Sequence, residues 1–322
     1  MPATVEQDGR LLVLEPHNVP IQSAEGQRYL RERHDAVMKH LEQYPVLRKH
    51  LFTDKWAAEF IAKWLKSEGT LAQFFYPAYY FEPFQLEIGI WPKDCLARAN
   101  AAVEFIVEKA PKQNRQDLLG NLLKSNSAAA EFEVSLTWAL LSHFGKEAVE
   151  PYPRIGDEGK KNVDFAVTRN GGRVLIEAMV VLNDPQYAAE MQHAVEHGTG
   201  GMVGYRPEEQ DAHRLIRACY DKVHQRELKE PLILSVNQCA TWPDPAAGAE
   251  AVGRLLAREI WARDSMLVGV AYFYAGHLVT TGFAESRIRA TGANAELVSE
   301  IRSALCRLAD QSAIDATRAS SG

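Results

Sequence analysis

The sequence predicts a mixed α/β protein. Residues 24–127 show apolar side chains at helical spacing in several segments. The middle of the chain instead holds two β-branched, alternating runs separated by Asn170-Gly171, a pair typical of a tight hairpin turn. At 322 residues the chain has the length of about two domains. We therefore expect a helical region of residues 1–124 and a sheet-containing domain of residues 125–322.

The amino-acid composition is typical of a globular protein that does not span a membrane. Apolar residues make up 46% and charged residues 24% of the chain, as in ordinary globular proteins. No apolar run approaches the ~18 residues of a membrane span, so we expect no membrane partner. The first residues lack the basic and apolar regions of a secretory signal, which predicts a cytoplasmic location. The net charge of −6 argues against nucleic-acid binding over the whole protein surface, but it permits a local basic groove.

Three helices are predicted in the first region, each from the periodicity of its apolar residues. They run from Ala24 to Glu42, from Asp54 to Glu68 and from Asp94 to Lys109, with Asp54 and Asp94 as expected N-caps. The segment from Phe74 to Trp91 is rich in aromatic residues but contains no Lys or Arg. Stacking on unpaired bases would need nearby cations, so we favour a homo-oligomer contact or a protein partner for this segment.

The hairpin across Asn170-Gly171 brings two carboxylates together. If these two residues form a type I′ turn, Arg169 pairs with Gly172, and counting back in both strands places Asp164 opposite Glu177. Opposed side chains on one face lie about 5 Å apart. Two carboxylates at that distance repel each other unless a proton or a cation lies between them. The sequence therefore predicts a divalent-metal site at this pair.

This arrangement resembles the PD-(D/E)XK nuclease superfamily over roughly residues 125–240. The helix from Ala128 to Gly145 is similar to the first core helix of the family, which supplies a glutamate on the metal side. Glu147 to Ile155 resembles the first strand, and Asp164 falls at the metal-binding aspartate. Glu177-Ala-Met179 falls at the (D/E)-x-K motif. The resemblance implies a restriction-endonuclease-like αβββαβ core, closed by a strand over Pro231 to Asn237.

The same resemblance implies a function and a set of residues. Mg²⁺ or Mn²⁺ would be held by Asp164, Glu177 and a helix glutamate, in a hydrolase that cleaves phosphodiester bonds of nucleic acid, with DNA favoured over RNA. Glu131 and Glu133 lie about 200° apart around the helix, so only one can face the site, and Glu133 fits the family spacing better. Phe132, Leu136, Leu140 and Phe144 should form the buried stripe of this helix.

Met179 stands where the family has its lysine. The lysine helps to orient the attacking water and offsets developing negative charge, and a methionine can do neither. Lys160 has the parity of Asp164 and would reach the same face if the second strand extends back that far; Lys222 is a second possible replacement. The alternative is a nuclease-like domain without catalysis that serves as a binding or scaffold module.

The remaining motifs and elements complete the prediction. His193-x-x-Glu196-His197 matches the inverted zinc-peptidase pattern, a third and weaker hypothesis. Helices are expected from Asp211 to Leu228, where basic residues are in mild excess, and from Ala246 to Arg263. Met266 to Ala275 and His277 to Phe283 should form a hairpin across Ala275-Gly276, and Glu296 to Ala316 a final amphipathic helix.

Overall fold

The structure is a computed structural model, and it describes part of the chain. The described residues are 4–7, 10–13, 19–71, 95–124, 127–155, 161–181, 217–219, 221, 229–238, 253, 266–274, 279–285 and 292–305. Among them, no helix is long and apolar enough to cross a membrane. The aromatic segment from Phe74 to Trp91 and the motif of His193, Glu196 and His197 lie outside the described residues, as do most of the helices expected at 211–228 and 246–263.

The described helices and strands make up a mixed α/β protein, which confirms the predicted class. The described helices are α1 (Ala24–Leu41), α2 (Pro45–His50), α3 (Asp54–Trp64), α4 (Cys95–Lys109), α5 (Lys112–Leu122), α6 (Ala128–Phe144) and α7 (residues 293–305). The strands are β1 (Thr4–Gln7), β2 (Arg10–Val13), β3 (Val149–Pro151), β4 (Arg154–Ile155), β5 (Lys161–Asn162), β6 (Phe165–Arg169), β7 (Gly172–Val181), β8 (Leu232–Gln238), β9 (Leu267–Tyr274) and β10 (Val279–Glu285).

The N-terminal helices begin close to the predicted residues, with one different cap. The hydroxyl of Thr53 accepts a hydrogen bond from the Trp56 amide at 3.2 Å, so Thr53 and not Asp54 is the N-cap of α3. Asp54 is the first helical residue, where its negative charge is favourable near the positive end of the helix dipole. Three elements were not predicted: the antiparallel β1–β2 pair, the short helix α2, and α5, whose first six residues are all polar.

The main sheet has six strands in the order β10-β9-β8-β7-β6-β3. β3, β6 and β7 are antiparallel neighbours, whereas β7, β8 and β9 run parallel. The β9–β10 hairpin is confirmed, but Tyr274 pairs with Val279, so the predicted two-residue turn at Ala275-Gly276 was wrong. The hairpin does not form a separate extension, because it continues the sheet beyond β8. Buried side chains on successive residues of β9, such as Val270, Ala271 and Tyr272, explain this position, because a strand apolar on both faces needs cover on both.

The predicted first strand, Glu147 to Ile155, is divided between two sheets. β3 pairs with β6 in the main sheet, and β4 pairs with β5 in a separate two-stranded sheet. The chain changes direction at Tyr152, whose φ of 52° lies in the left-handed region. Since β6 begins only at Phe165, the second strand does not extend back to Lys160 as the sequence argument required. Lys160 itself lies outside the described residues.

Helix α6 packs on the sheet through the stripe expected from its sequence. Phe132, Leu136 and Leu140 are buried, and Phe144 is half-buried against the same core. Phe132 meets Phe273 of β9 edge to face, with ring centroids 5.3 Å apart. Burying each such side chain stabilises the fold by roughly 1.5–3 kcal/mol.

Two apolar clusters cover the two faces of the sheet. The larger one joins the α6 face to buried residues of α1, α2 and α4, so the helical region and the sheet share one continuous core. The second cluster covers the opposite face and includes Leu175, Leu234 and Tyr272, with Met179 packed against it. Glu177 alternates with Leu175 and Met179 along β7, which places it on this second face.

Candidate functional site

The hairpin of β6 and β7 has the predicted turn and register. Asn170 and Gly171 have φ values of 51° and 80°, as a type I′ turn requires. The strand pairs run from Arg169 with Gly172 to Phe165 with Ile176. The next pair in this register is Asp164 with Glu177. We call the Asn170-Gly171 end of the hairpin its turn end and the Asp164–Glu177 end its open end.

At the end of the β6–β7 ladder, the Asp164 side chain is hydrogen-bonded to the backbone of β7. One carboxylate oxygen, Oδ2, accepts a hydrogen bond from the backbone amide of Ala178 at 2.6 Å. Ala178 directly follows Glu177 in β7, so the Asp164 carboxylate lies against the backbone beside Glu177. Asp164 is half-buried, which leaves its carboxylate in reach of solvent.

Glu177 is the most deeply buried carboxylate of the open end. Only 2% of its surface is exposed, and its strand partner in β8 is the buried Leu234. Burial of a carboxylate among apolar residues is costly, so such a position needs a compensating partner. The residues that follow it, Ala178 to Val181, are half-buried. The strand therefore approaches the surface immediately beyond Glu177.

The two glutamates of α6 point to different partners. Glu133 is half-buried, and its Oε2 accepts a hydrogen bond from the Tyr152 hydroxyl at 2.7 Å. Glu131 is buried and bonded to the Ser127 hydroxyl. Burial raises the pKa of Glu131 to about 7, although the hydrogen bond from Ser127 acts in the opposite direction. Of the two, Glu133 is the one linked to the residue that contacts Asp164.

Tyr152 is that residue, and it was not among the residues predicted from the sequence. Its backbone amide donates to the carbonyl oxygen of Asp164 at 2.8 Å, while its hydroxyl donates to Glu133. Its side chain is buried, and burial raises the pKa of Tyr152 above its ordinary value, with the charges of Glu133 and Asp164 acting in the same direction. The hydroxyl therefore stays protonated and remains a donor. The only sequence signal was its place between Pro151 and Pro153.

Met179 occupies the position where the resemblance implies a lysine. Met179 is half-buried against the second apolar cluster and offers neither charge nor a donor. Lys160 and Lys222, the expected replacements, lie outside the described residues. The approach of one of these two lysines to Asp164 stays a prediction.

The donor atoms suit a hard divalent cation, but the three expected ligands do not meet as one group. Within the described parts of the chain, no three His, Cys, Asp or Glu side chains are placed to hold a metal ion together. Glu133 is bonded to the Tyr152 hydroxyl, and Asp164 to the Ala178 amide. Mg²⁺ is commonly held by one or two protein carboxylates, with water and phosphate oxygens completing its shell. Asp164 and Glu177 fit that pattern.

Comparison with protein-family models, with curated proteins and with solved structures finds no match to this chain. Four residues, Glu133, Tyr152, Asp164 and Glu177, therefore define the candidate site. Three of them carry carboxylates, and Tyr152 joins two of these three by hydrogen bonds.

Proposed function

We propose that this chain is a restriction-endonuclease-like protein that hydrolyses phosphodiester bonds of nucleic acid, with DNA as the favoured substrate. A divalent cation, Mg²⁺ or Mn²⁺, would be held by Asp164 and Glu177. The observation that carries the proposal is the hairpin register: the next pair beyond Phe165 and Ile176 is Asp164 with Glu177, where β7 approaches the surface.

The order of elements supports the same proposal. α6 precedes the antiparallel strands β3, β6 and β7, and β8 then adds in parallel to β7. A parallel neighbour needs a crossover connection, usually a helix. Residues 217–219, which are helical, fall within the connection from β7 to β8, and the Cys219 side chain is buried in the second apolar cluster. This order is compatible with the αβββαβ core that the resemblance to the PD-(D/E)XK superfamily implies, with β9 and β10 in addition.

The chemistry follows from the residues at the open end. A bound divalent cation polarises a phosphoryl oxygen and acidifies the attacking water. Asp164 and Glu177 supply the hard oxygen ligands that such a cation prefers. Glu133 is held by the Tyr152 hydroxyl and is not part of this pair. Met179 supplies no donor to the developing charge, so the expected turnover is slow.

A second candidate is a nuclease-like binding module without catalysis. Two observations favour it: Met179 in the lysine position, and the absence of a three-ligand metal group among the described residues. Such a module would keep the fold and contact nucleic acid or a protein partner. It would neither bind Mn²⁺ at Asp164 nor cleave DNA.

The two candidates are separated by measuring Mn²⁺ binding by calorimetry, with and without a DNA duplex, alongside DNA cleavage. The nuclease proposal expects Mn²⁺ binding and weak metal-dependent cleavage, both lost in Asp164→Ala. Glu147→Gln is the matched control, because it removes an exposed carboxylate outside the site. Met179→Lys should raise the rate, since a well-placed donor is commonly worth ~3 kcal/mol. A wild type without Mn²⁺ binding or cleavage, unchanged by Met179→Lys, would establish the binding module instead.

A further inference from the structure

We propose that the end of α2 and the start of α5 form a contact surface for the phosphate groups of double-stranded DNA. We call this surface the basic patch, and its members are Lys49, His50, Lys112 and Arg115. The inference rests on the proposed action on nucleic acid, and it applies to a nuclease and to a binding module alike. Carboxylates repel phosphate, so a protein that holds DNA near Asp164 and Glu177 needs positive charge elsewhere.

Helix α4 brings the two halves of the basic patch together. Its Asn100 side chain accepts hydrogen bonds from the Val46 and Leu47 amides at 3.0 and 3.2 Å, which fixes the start of α2 on α4. The Arg115 guanidinium of α5 donates to the carbonyl oxygen of Val107, in the last turn of α4, at 2.7 Å. Both contacts are to the same helix, so the end of α2 and the start of α5 are held on one scaffold.

The positive charges of the basic patch act on one another. Burial lowers the pKa of His50, and the charges of Lys49 and Arg115 act in the same direction. Lys112 lies three residues before Arg115 in α5, a spacing that makes the two side chains neighbours on the helix surface. An anion placed among these groups would offset their mutual repulsion.

Charge compensation distinguishes the basic patch from nearby cations. Arg48 is paired with Asp54, and Lys146 with Glu104 and Glu108. Within the described parts of the chain, no member of the basic patch forms an ion pair.

The exposure of the two lysines makes their charge available to a large partner. Lys49 and Lys112 are both exposed. Glu42 lines the same open groove as Lys49 and opposes the basic patch with a single negative charge. The whole chain carries a net charge of −6, so this positive excess is local. Lysine and arginine side chains grouped on one face are the electrostatic signature of a surface that contacts DNA phosphates.

Helix α5 also connects the basic patch to the candidate site. Burial raises the pKa of Tyr152, and the charge of Asp117 is among those that act in the same direction. Asp117 follows Arg115 by two residues, about 3 Å along the helix axis. A DNA duplex is much longer than this separation, so one duplex can contact the basic patch and extend to Asp164.

The test is the affinity of the full chain for a labelled DNA duplex, measured by fluorescence anisotropy in EDTA over a series of NaCl concentrations. Lys49→Gln/Lys112→Gln removes two exposed charges from the basic patch. This variant should bind more weakly at low salt, and the slope of log affinity against log salt should become shallower by about 2. Each single variant should account for about half of that change.

Lys63→Gln/Lys66→Gln is the matched control, because it removes the same charge from exposed positions outside the basic patch. These two lysines flank Leu65, whose carbonyl oxygen accepts a hydrogen bond from Gln22, just before α1. The basic patch instead follows the end of that 18-residue helix, which is about 27 Å long. The control should bind DNA as the wild type does, and circular dichroism checks that every variant is folded.

The outcomes separate the basic patch from the proposed function. Wild-type affinity and salt slope in Lys49→Gln/Lys112→Gln would overturn the basic patch while the proposed function stands. An equal loss in the control would also overturn it, because net charge and not position would then govern binding. A wild type that does not bind the duplex at low salt would refute both. Binding that depends on the basic patch, without cleavage when Mn²⁺ is added, would support the patch and refute the nuclease.

Discussion

The two ends of the β6–β7 hairpin differ in what determines them. At the turn end, Asn170 and Gly171 adopt positive φ values that suit their residue types. At the open end, a tyrosine adopts a positive φ value that does not suit it, and the charges of Glu133 and Asp164 act on its hydroxyl. The turn end follows local preferences of the sequence, whereas the open end is held by contacts from distant elements.

This difference indicates where stability and function reside. The turn end is fixed further by α7: the Asn294 side chain accepts a hydrogen bond from the Arg173 amide at 2.8 Å, and Arg169 forms an ion pair with Glu300 at 2.9 Å. The open end instead combines backbone strain with carboxylates near the surface. Proteins tolerate such local conflicts mainly at functional sites. Changes at the turn end should therefore affect folding, and changes at the open end should affect binding.

The largest expected effect on stability concerns a carboxyl at neither end. The pKa of Glu131 is raised from 4.5 to about 7, so the folded state retains a proton that the unfolded state loses between these pH values. The stability that this raised pKa contributes is complete below about pH 4.5 and is lost as the pH rises to about 7. Glu131→Gln should remove this loss and raise the unfolding free energy at pH 8 by up to about 3 kcal/mol.

Urea unfolding at pH values from 5 to 8 measures this effect directly. Glu133→Gln is the matched control, because its half-buried carboxylate lies on the same helix. A Glu131→Gln variant with the same pH dependence as the wild type would show that Glu131 does not carry the proton.

The next largest effect is expected at the turn end. A Cβ on Gly172 would lie 2.8 Å from the backbone oxygen of Ala293, at the start of α7. Backbone cannot yield as a flexible side chain can, so Gly172→Ala should destabilise the fold by roughly 1–3 kcal/mol. Gly120→Ala is the matched control: nothing lies within 4 Å of its Cβ in α5. This second variant should gain about 0.5–1 kcal/mol from higher helix propensity.

Thermal unfolding of both variants tests the contact of the hairpin with α7. Equal stability of Gly172→Ala and the wild type would mean that the backbone of Ala293 does not lie close to Gly172.

The smallest effect on stability is expected at the open end itself. Asp164→Asn keeps an oxygen that can accept from the Ala178 amide, so the unfolding free energy should change by less than about 1 kcal/mol. The same variant removes a negative charge from the proposed cation site and should abolish Mn²⁺ binding. A loss of several kcal/mol, read from urea unfolding, would instead identify Asp164 as a structural residue.

Local sequence preferences were sufficient to predict the turn end of the hairpin and the buried stripe of α6. Asn170-Gly171 fixed the register, and the register led to Asp164 and Glu177. Apolar spacing predicted the burial of Phe132, Leu136 and Leu140. These signals act over a few residues, and tertiary contacts agree with them here.

Non-local contacts explain what could not be predicted. The kink at Tyr152 depends on Glu133 and Asp164, which are distant in sequence, and no residue preference favours a positive φ for tyrosine. The extension of the sheet by β9 depends on parallel pairing with β8, which strand alternation does not encode. The N-cap of α3 was misplaced by one residue because both Thr53 and Asp54 are good capping residues.

The most direct test of the central claim, that the open end of the hairpin binds a divalent cation, is a crystal of the protein soaked in Mn²⁺ and measured for anomalous scattering. The predicted result is a peak between the Asp164 and Glu177 carboxylates, at oxygen distances typical of a hard cation, and no such peak in Asp164→Ala. Wild-type crystals without density between these two carboxylates, or with Mn²⁺ bound only elsewhere on the chain, would contradict the claim.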